Sequence, residues 1–213
     1  MKRRWAGLDE AGRGPVIGPL VIAGVLADER KVRELASIGV KDSKLLTART
    51  RTALAKKISN IAMNVVYADI QPAEIDTIVL EGRRLHRLNF LEATFMAKLI
   101  SDLKPTTVWV DAADVKPERY ARQIRDMLPP NLKRIKLISE HKADVNYPIV
   151  SAASIMAKVR RDTAISTLWK TYGNFGSGYP SDPRTIRFLR NWHRTHTDYP
   201  PIVRKSWKTI KNM

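Results

Sequence analysis

Apolar residues along the chain form short continuous runs and longer stretches in which they recur every three or four positions. The short runs are rich in Val, Ile, Leu and Ala and predict strands, whereas the longer spacing predicts helices. The predicted strands cover residues 5–8, 16–27, 62–70, 107–110 and 132–139.

Helices are predicted between most of these strands. Thr47 can cap one helix, Pro105 must end another, and Pro117 suits the first turn of a third. The predicted helices cover the segment after Thr47, residues 88–103, the segment after Pro117, and residues 149–159.

The resulting order is two strands followed by alternating helices and strands. It predicts an α/β fold with a mixed five-stranded sheet flanked by helices, in which the first two strands are antiparallel. From residue 172 the sequence becomes rich in Gly, Ser and Pro. We therefore expect a sheet domain over residues 1–170, followed by a loop and a basic helical region over residues 171–213.

Charge narrows the class of partner. The 213-residue chain has 38 Lys and Arg against 21 Asp and Glu, a formal net charge of +17, which favours an anionic partner such as nucleic acid.

The composition also excludes several classes of protein. The chain has no Cys, which excludes disulfides, thiolate metal sites and Cys nucleophiles. The uncharged stretch 15–27 is shorter than the roughly 18 residues of a membrane span. We expect a cytoplasmic protein with no membrane partner.

Acidic residues follow two of the predicted strands. Asp9 and Glu10 come after the first strand, and Asp111 comes after the fourth. Ligands collect at the carboxyl ends of strands in α/β sheets, where Asp9 and Asp111 meet if their strands are neighbours. Asp144, which precedes the helix at 149–159, is a candidate fourth member. A turn or a helix cap explains any one of these acids, but the four together favour a site.

Four carboxylates without Cys suit hard cations such as Mg²⁺ or Mn²⁺, which prefer oxygen ligands. Together with the charge of +17, such a set indicates phosphodiester chemistry, in which two cations stabilise the attacking and leaving oxygens. His141 lies close to Asp144 in sequence and could shuttle protons, although a surface histidine explains it more simply.

Five short motifs stand out along the chain. They are residues 7–15 (GLDEAGRGP), the triplet Asp42-Ser43-Lys44, Val110-Asp111, the segment 142–159 that begins Lys-Ala-Asp, and residues 176–183 (GSGYPSDP). In this order they closely resemble the motifs of the ribonuclease HII family, the type 2 ribonucleases H. The likeness covers residues 5–183 and is greatest to the archaeal branch.

The resemblance implies an RNase H-like fold and an Mg²⁺- or Mn²⁺-dependent enzyme. Its substrates would be RNA/DNA hybrids and duplex DNA that contains single ribonucleotides, and its products would carry 3′-hydroxyl and 5′-phosphate ends. The catalytic and metal-binding carboxylates would be Asp9, Glu10, Asp111 and Asp144, all of which are present. We expect a monomer, and the sequence leaves open whether a sliding clamp binds it.

The resemblance also implies substrate contacts. The turn Gly12-Arg13-Gly14 would present backbone groups to a ribose 2′-hydroxyl, Tyr179 would stack on the sugar of the following deoxynucleotide, and Ser43 and Lys44 would contact phosphate. Each has a plainer explanation without the family: a tight glycine turn, a packing aromatic and solvated polar side chains.

The C-terminal region predicts a helix from Pro183 with one apolar face and one basic face. A basic face is usually solvated, but arginines without interleaved acids repel one another unless an anion is near. We therefore expect phosphate contacts from Arg184, Arg187, Arg190 and Arg194, joined by Arg204, Lys205, Lys208 and Lys211.

Two functions of other classes stay open. The first is a nucleic-acid-binding protein in which the acids are only structural. The second is a related DNA nuclease or strand transferase.

Overall fold

The computed structural model of the chain describes residues 3–40, 46–81 and 87–213. The strands are β1 (Trp5–Ala11), β2 (Leu20–Ala27), β3 (Asn64–Ile70), β4 (Thr107–Asp111) and β5 (Lys136–Glu140). The helices are α1 (Glu29–Ser37), α2 (Ala48–Ile61), α3 (Pro72–Glu81), α4 (Arg87–Leu103), α5 (Pro117–Met127), α6 (Ala143–Asn146), α7 (Pro148–Tyr172), α8 (Pro183–Thr195) and α9 (Lys208–Lys211).

The five strands form one sheet in the order β3-β2-β1-β4-β5. β1 pairs antiparallel with β2 and parallel with β4, which in turn pairs parallel with β5. The predicted mixed five-stranded sheet is therefore confirmed, as is the antiparallel first pair. Helix starts were also predicted correctly, since Thr47 caps α2 and Pro117 opens α5.

The first two strands differ from the prediction. β1 continues through the acidic pair to Ala11, because its pairing with β2 extends to Ala11 opposite Val21. β2 begins at Leu20 rather than at residue 16, since Gly18 has a φ of +89°, which interrupts an extended strand. Asp9 and Glu10 thus lie inside a strand, where the sheet fixes their backbone.

Two helices, α1 and α3, were not predicted, and the helix expected over 149–159 runs on to Tyr172. α1 buries only Leu35 and is capped by the Asp28 side chain, so its apolar pattern is too thin to indicate a helix. The short α6 was missed as well.

The chain divides into two compact units. The first consists of Met1–Ala11, Val21–Ala68 and Asn89–Val159, and the second of Gly12–Leu20, Asp69–Leu88 and Arg160–Met213. Each has an apolar core of its own: Val25, Leu35, Ile58 and Val150 belong to the first core, and Ile17, Phe175, Leu189 and Val203 to the second. The functional boundary expected after residue 170 stays a prediction. Across the described ranges, no helix combines the length and hydropathy that a bilayer crossing requires.

Candidate active site

Neighbouring strands of the first unit bring two of the predicted carboxylates to the same end of the sheet. Leu8 of β1 lies opposite Val110 of β4 in a parallel pair, so Asp9 and Asp111 follow at equivalent positions. Helix α7 packs closely over this region, because a Cβ atom on Gly7 would overlap the backbone of Ile149. Only glycine permits that approach.

The surroundings of Asp9 disfavour the ionised form of its carboxyl. It is buried, and the pKa of its carboxyl is raised well above the usual value by that burial and by the negative charges of Glu10 and Asp111. A hydrogen bond with Ser154 and the charge of Lys158 act in the opposite direction. The negative charges of Glu10 and Asp111 therefore act on Asp9 at the end of β1 and β4.

Asp111 connects β4 to the segment that carries Asp144. Its carboxylate accepts a hydrogen bond from the backbone N–H of Ala143 at 2.7 Å. Asp144 is the next residue, in the first turn of α6, and its side chain is buried. The structure therefore places Asp144 one residue from a direct contact of Asp111.

The donor chemistry of this set fits a hard divalent cation. All four predicted members are carboxylates, and positive charge would relieve the repulsion that raises the pKa of Asp9. In the part of the chain that the structure describes, no three acidic or histidine side chains are arranged as a complete ion site. The fit therefore depends on the charge and type of these ligands.

Sequence reasoning missed two pairs of residues at this site. Lys158 donates to the Ser154 hydroxyl at 2.8 Å, and Ser154 is in turn hydrogen-bonded to Asp9. Their spacing of four on one helix was the available signal. Glu140 lies opposite Asp111 across β4 and β5, and the Tyr147 hydroxyl is 3.0 Å from each of its carboxylate oxygens.

The second unit contains the predicted turn and Tyr179. Gly12 has a φ of +88°, and a Cβ atom there would overlap the side chain of Arg161. The Tyr179 ring would lie 3.6 Å from a Cβ atom on Gly14, so the ring sits beside the turn. The Arg161 guanidinium lies 5.3 Å from the centroid of this ring and supports it from within the unit. Arg13 belongs to the same turn.

The predicted basic helix is present as α8, which begins at Pro183 as expected and is capped by the Asp182 side chain. Arg184 forms an ion pair with Asp182 at 3.0 Å, and this hydrogen bonding holds the pKa of the Asp182 carboxyl below its usual range. Arg187, Arg190 and Arg194 instead line a groove of about 540 Å³. The basic face is thus concentrated beyond the first turn of α8.

Other predicted residues have different positions. The expectation that Arg204 contacts phosphate is wrong, because its side chain is completely buried and hydrogen-bonded to backbone carbonyls. His141 is exposed, with Nε2 3.3 Å from the carbonyl oxygen of Val115. Ser43 and Lys44, together with Asp42, lie outside the described residues.

Nearly the whole chain matches known proteins. Residues 6–210 match the family model described as Ribonuclease HII. The ribonuclease HII of Methanosarcina barkeri is 46% identical over 214 residues, which cover 98% of this chain and 94% of that protein. A crystal structure of the ribonuclease H2 from Pyrococcus horikoshii superposes with a TM-score of 0.88 at 46% identity, covering 98% of this chain and 96% of the other. The ribonuclease HII in a structure of its complex with PCNA from Archaeoglobus fulgidus gives 0.83 at 41% identity, covering 96% and 95%.

Proposed function

The chain belongs to the ribonuclease HII family, metal-dependent enzymes that cleave the RNA of RNA/DNA hybrids, and we propose that it also cuts duplex DNA 5′ of embedded ribonucleotides. The proposed products carry 3′-hydroxyl and 5′-phosphate ends. The observation that carries this proposal is the position of the buried Asp9 beside Asp111 at one end of the sheet, where the charges of Glu10 and Asp111 act on it.

Asp9, Glu10, Asp111 and Asp144 would hold two divalent cations, Mg²⁺ or Mn²⁺. Such cations supply Lewis-acid charge for the attacking water and for the leaving 3′ oxygen of a phosphodiester. The protein contributes the orientation of the ligands. Ser154 and Lys158 fix the Asp9 carboxylate from α7, and the Ala143 amide fixes that of Asp111.

Recognition of the ribonucleotide is assigned to the second unit. The turn Gly12-Arg13-Gly14 would contact the ribose 2′-hydroxyl through its backbone, since this hydroxyl alone distinguishes a ribonucleotide from DNA at one position. Tyr179 would stack on the adjoining deoxyribose. The proximity of its ring to Gly14 supports this assignment.

The duplex backbone would be bound mainly by charge. The groove that Arg187 lines on α8 suits phosphates, and the net charge of +17 favours association with a polyanion. Arg184 would add a phosphate contact at the start of the helix while it keeps its ion pair with Asp182. Ser43 and Lys44 stay predicted phosphate ligands.

We propose that the chain acts as a monomer and that a sliding clamp is a candidate partner. The clamp is suggested by the Archaeoglobus fulgidus relative, whose structure was determined as a complex with PCNA.

The Asp9→Asn variant separates an enzyme from a protein that only binds nucleic acid. We expect cleavage of a hybrid to fall by at least about a hundredfold, the loss typical of removing a group that stabilises transition-state charge. Binding of the same hybrid should stay within about twofold of wild type, because the basic groove is untouched.

The matched control is Asp126→Asn, which makes the same chemical change on an exposed position of α5 and should cleave normally. If Asp9→Asn cleaves as fast as wild type, the assignment of the site is wrong. If wild type binds hybrid but cuts none in Mg²⁺ or Mn²⁺, the chain is a binding protein.

A further inference from the structure

Arg204 is the largest completely buried side chain in the described residues. Its guanidinium donates hydrogen bonds to the carbonyl oxygens of Gly12 at 2.7 Å, Arg13 at 3.1 Å and Gly18 at 2.9 Å. A planar guanidinium with five donors can hold several acceptors in a fixed arrangement, which a lysine ammonium cannot. A buried charge near the C-terminus is therefore directed at the turn after β1.

Trp207 extends this arrangement by one peptide group. Its indole N–H donates to the carbonyl oxygen of Gly14 at 3.1 Å, and the Arg204 guanidinium lies 4.9 Å from the centroid of its ring. The carbonyl groups of Gly12, Arg13 and Gly14 are thus all held by two side chains. Fixing three consecutive carbonyls fixes the orientation of the peptide planes between them.

The segment that carries these two side chains is itself anchored. Gly18 donates to the carbonyl of Ile202 and Arg204 donates to that of Val16, both at 2.8 Å. On the other side, the Asp76 carboxylate accepts from the backbone N–H groups of residues 205 and 206 at 2.8 and 2.9 Å. Arg204 and Trp207 therefore act from a rigid support.

We propose that Arg204 and Trp207 are positioning residues that set the discrimination between ribonucleotide and deoxyribonucleotide. They hold the backbone of the turn at residues 12–14 in the conformation that reads the 2′-hydroxyl. This inference rests on the proposed function, in which that turn contacts the ribose. It predicts that weakening the support lowers discrimination more than it lowers binding of duplex DNA.

The test uses Trp207→Phe, which removes the indole N–H but keeps an aromatic ring against Arg204. Binding is measured in an Asp9→Asn background to prevent cleavage, with a duplex containing one ribonucleotide and the same duplex made entirely of DNA. The ratio of the two Kd values should fall about two- to tenfold, the effect of one hydrogen bond. The Kd for the all-DNA duplex should change by less than about twofold, since phosphate contacts are preserved.

Trp192→Phe is the matched control, because it also removes an indole N–H that donates to a backbone carbonyl, that of Asp198 at 3.0 Å. It should leave the ratio of Kd values unchanged. Arg204→Lys should also lower the Kd ratio, since lysine retains the positive charge but lacks the planar guanidinium that donates to several carbonyls at once. If Arg204→Lys folds poorly, Trp207→Phe decides alone.

If the Kd ratio of the Asp9→Asn parent survives Trp207→Phe unchanged, the inference is overturned, as it is by an equal loss of affinity for both duplexes. A Kd ratio of one in the Asp9→Asn parent contradicts the proposed reading of the ribose, and the inference fails with it. The measurement on this parent distinguishes the two failures.

Discussion

Asp9 is the proposed metal ligand whose surroundings most clearly disfavour a negative charge. Burial disfavours its ionised form, and the charges of Glu10 and Asp111 disfavour it further. The ionised form is the one that binds a cation. A divalent cation bound at the proposed site would therefore offset the electrostatic cost of ionising Asp9.

This perturbation predicts how stability depends on pH without metal. The folded-state pKa of Asp9 lies above the unfolded value of 3.8, so its stabilising contribution is complete below that value and is lost as pH rises through the folded pKa. In EDTA, the Tm of wild type relative to that of Asp9→Asn should therefore fall as pH rises above about 4. Thermal melts across this range measure the difference.

Added Mg²⁺ should reverse the effect at neutral pH. A ligand at a hundred times its Kd stabilises the folded state by about 2.7 kcal/mol, so wild type should gain more stability than Asp9→Asn. Equal pH dependence of the two proteins in EDTA would contradict the assignment of the raised pKa.

Substitution of Tyr179 tests how the protein recognises an RNA–DNA junction. Tyr179→Ala should slow cleavage at an RNA–DNA junction by about tenfold, a typical value for losing one aromatic stacking contact. Cleavage inside a long RNA tract should fall less, because other positions in the tract can be used. Tyr179→Phe, which keeps the ring, is the control. Equal losses on the two substrates would remove its role at the junction.

Helix α8 is expected to bind the phosphate backbone of the duplex. Arg187→Gln, Arg190→Gln and Arg194→Gln should each weaken duplex binding, and each lost phosphate contact should reduce the slope of log K against log salt by about 0.9. Arg33→Gln makes the same charge change on α1, where Arg33 pairs with Glu29, and should leave the slope unchanged. Titrations at several salt concentrations measure these slopes. Unchanged slopes in all three variants would show that α8 does not bind the duplex.

Local signals predicted many of the elements. The Thr47 cap of α2 and the prolines at the starts of α5 and α8 act over a few residues, so the sequence alone predicts them. The sequence did not predict the end of β1, because that end is set by pairing with β2. α1 was missed since it buries a single residue.

The candidate site was predictable only in part. Short motifs indicated the four carboxylates. Asp9 and Asp111 could meet only if β1 and β4 were neighbours, and the two strands do pair in the sheet. The contacts of Ser154 and Lys158 with Asp9 depend on where α7 packs. The pattern of apolar and polar residues along the sequence does not specify that position. Arg204 was interpreted wrongly for the same reason, since sequence does not distinguish a buried arginine from a solvated one.

The protein combines a net positive charge with a local concentration of acidic residues, and the proposed function gives each a different purpose. The net charge of +17 attracts a nucleic acid, whereas the acids of the first unit concentrate negative charge at the end of one sheet. The proposed chemistry needs both, because a polyanion must come close to carboxylates. Divalent cations reconcile the two requirements.

The most direct measurement uses a DNA duplex with one embedded ribonucleotide, incubated with the wild-type protein in Mg²⁺, in Mn²⁺ and in EDTA. We expect a single cut 5′ of the ribonucleotide in at least one of the metals, with 3′-hydroxyl and 5′-phosphate ends, and no cut in EDTA. An intact duplex in both metals, or equal cutting of an all-DNA duplex, would contradict the proposed function.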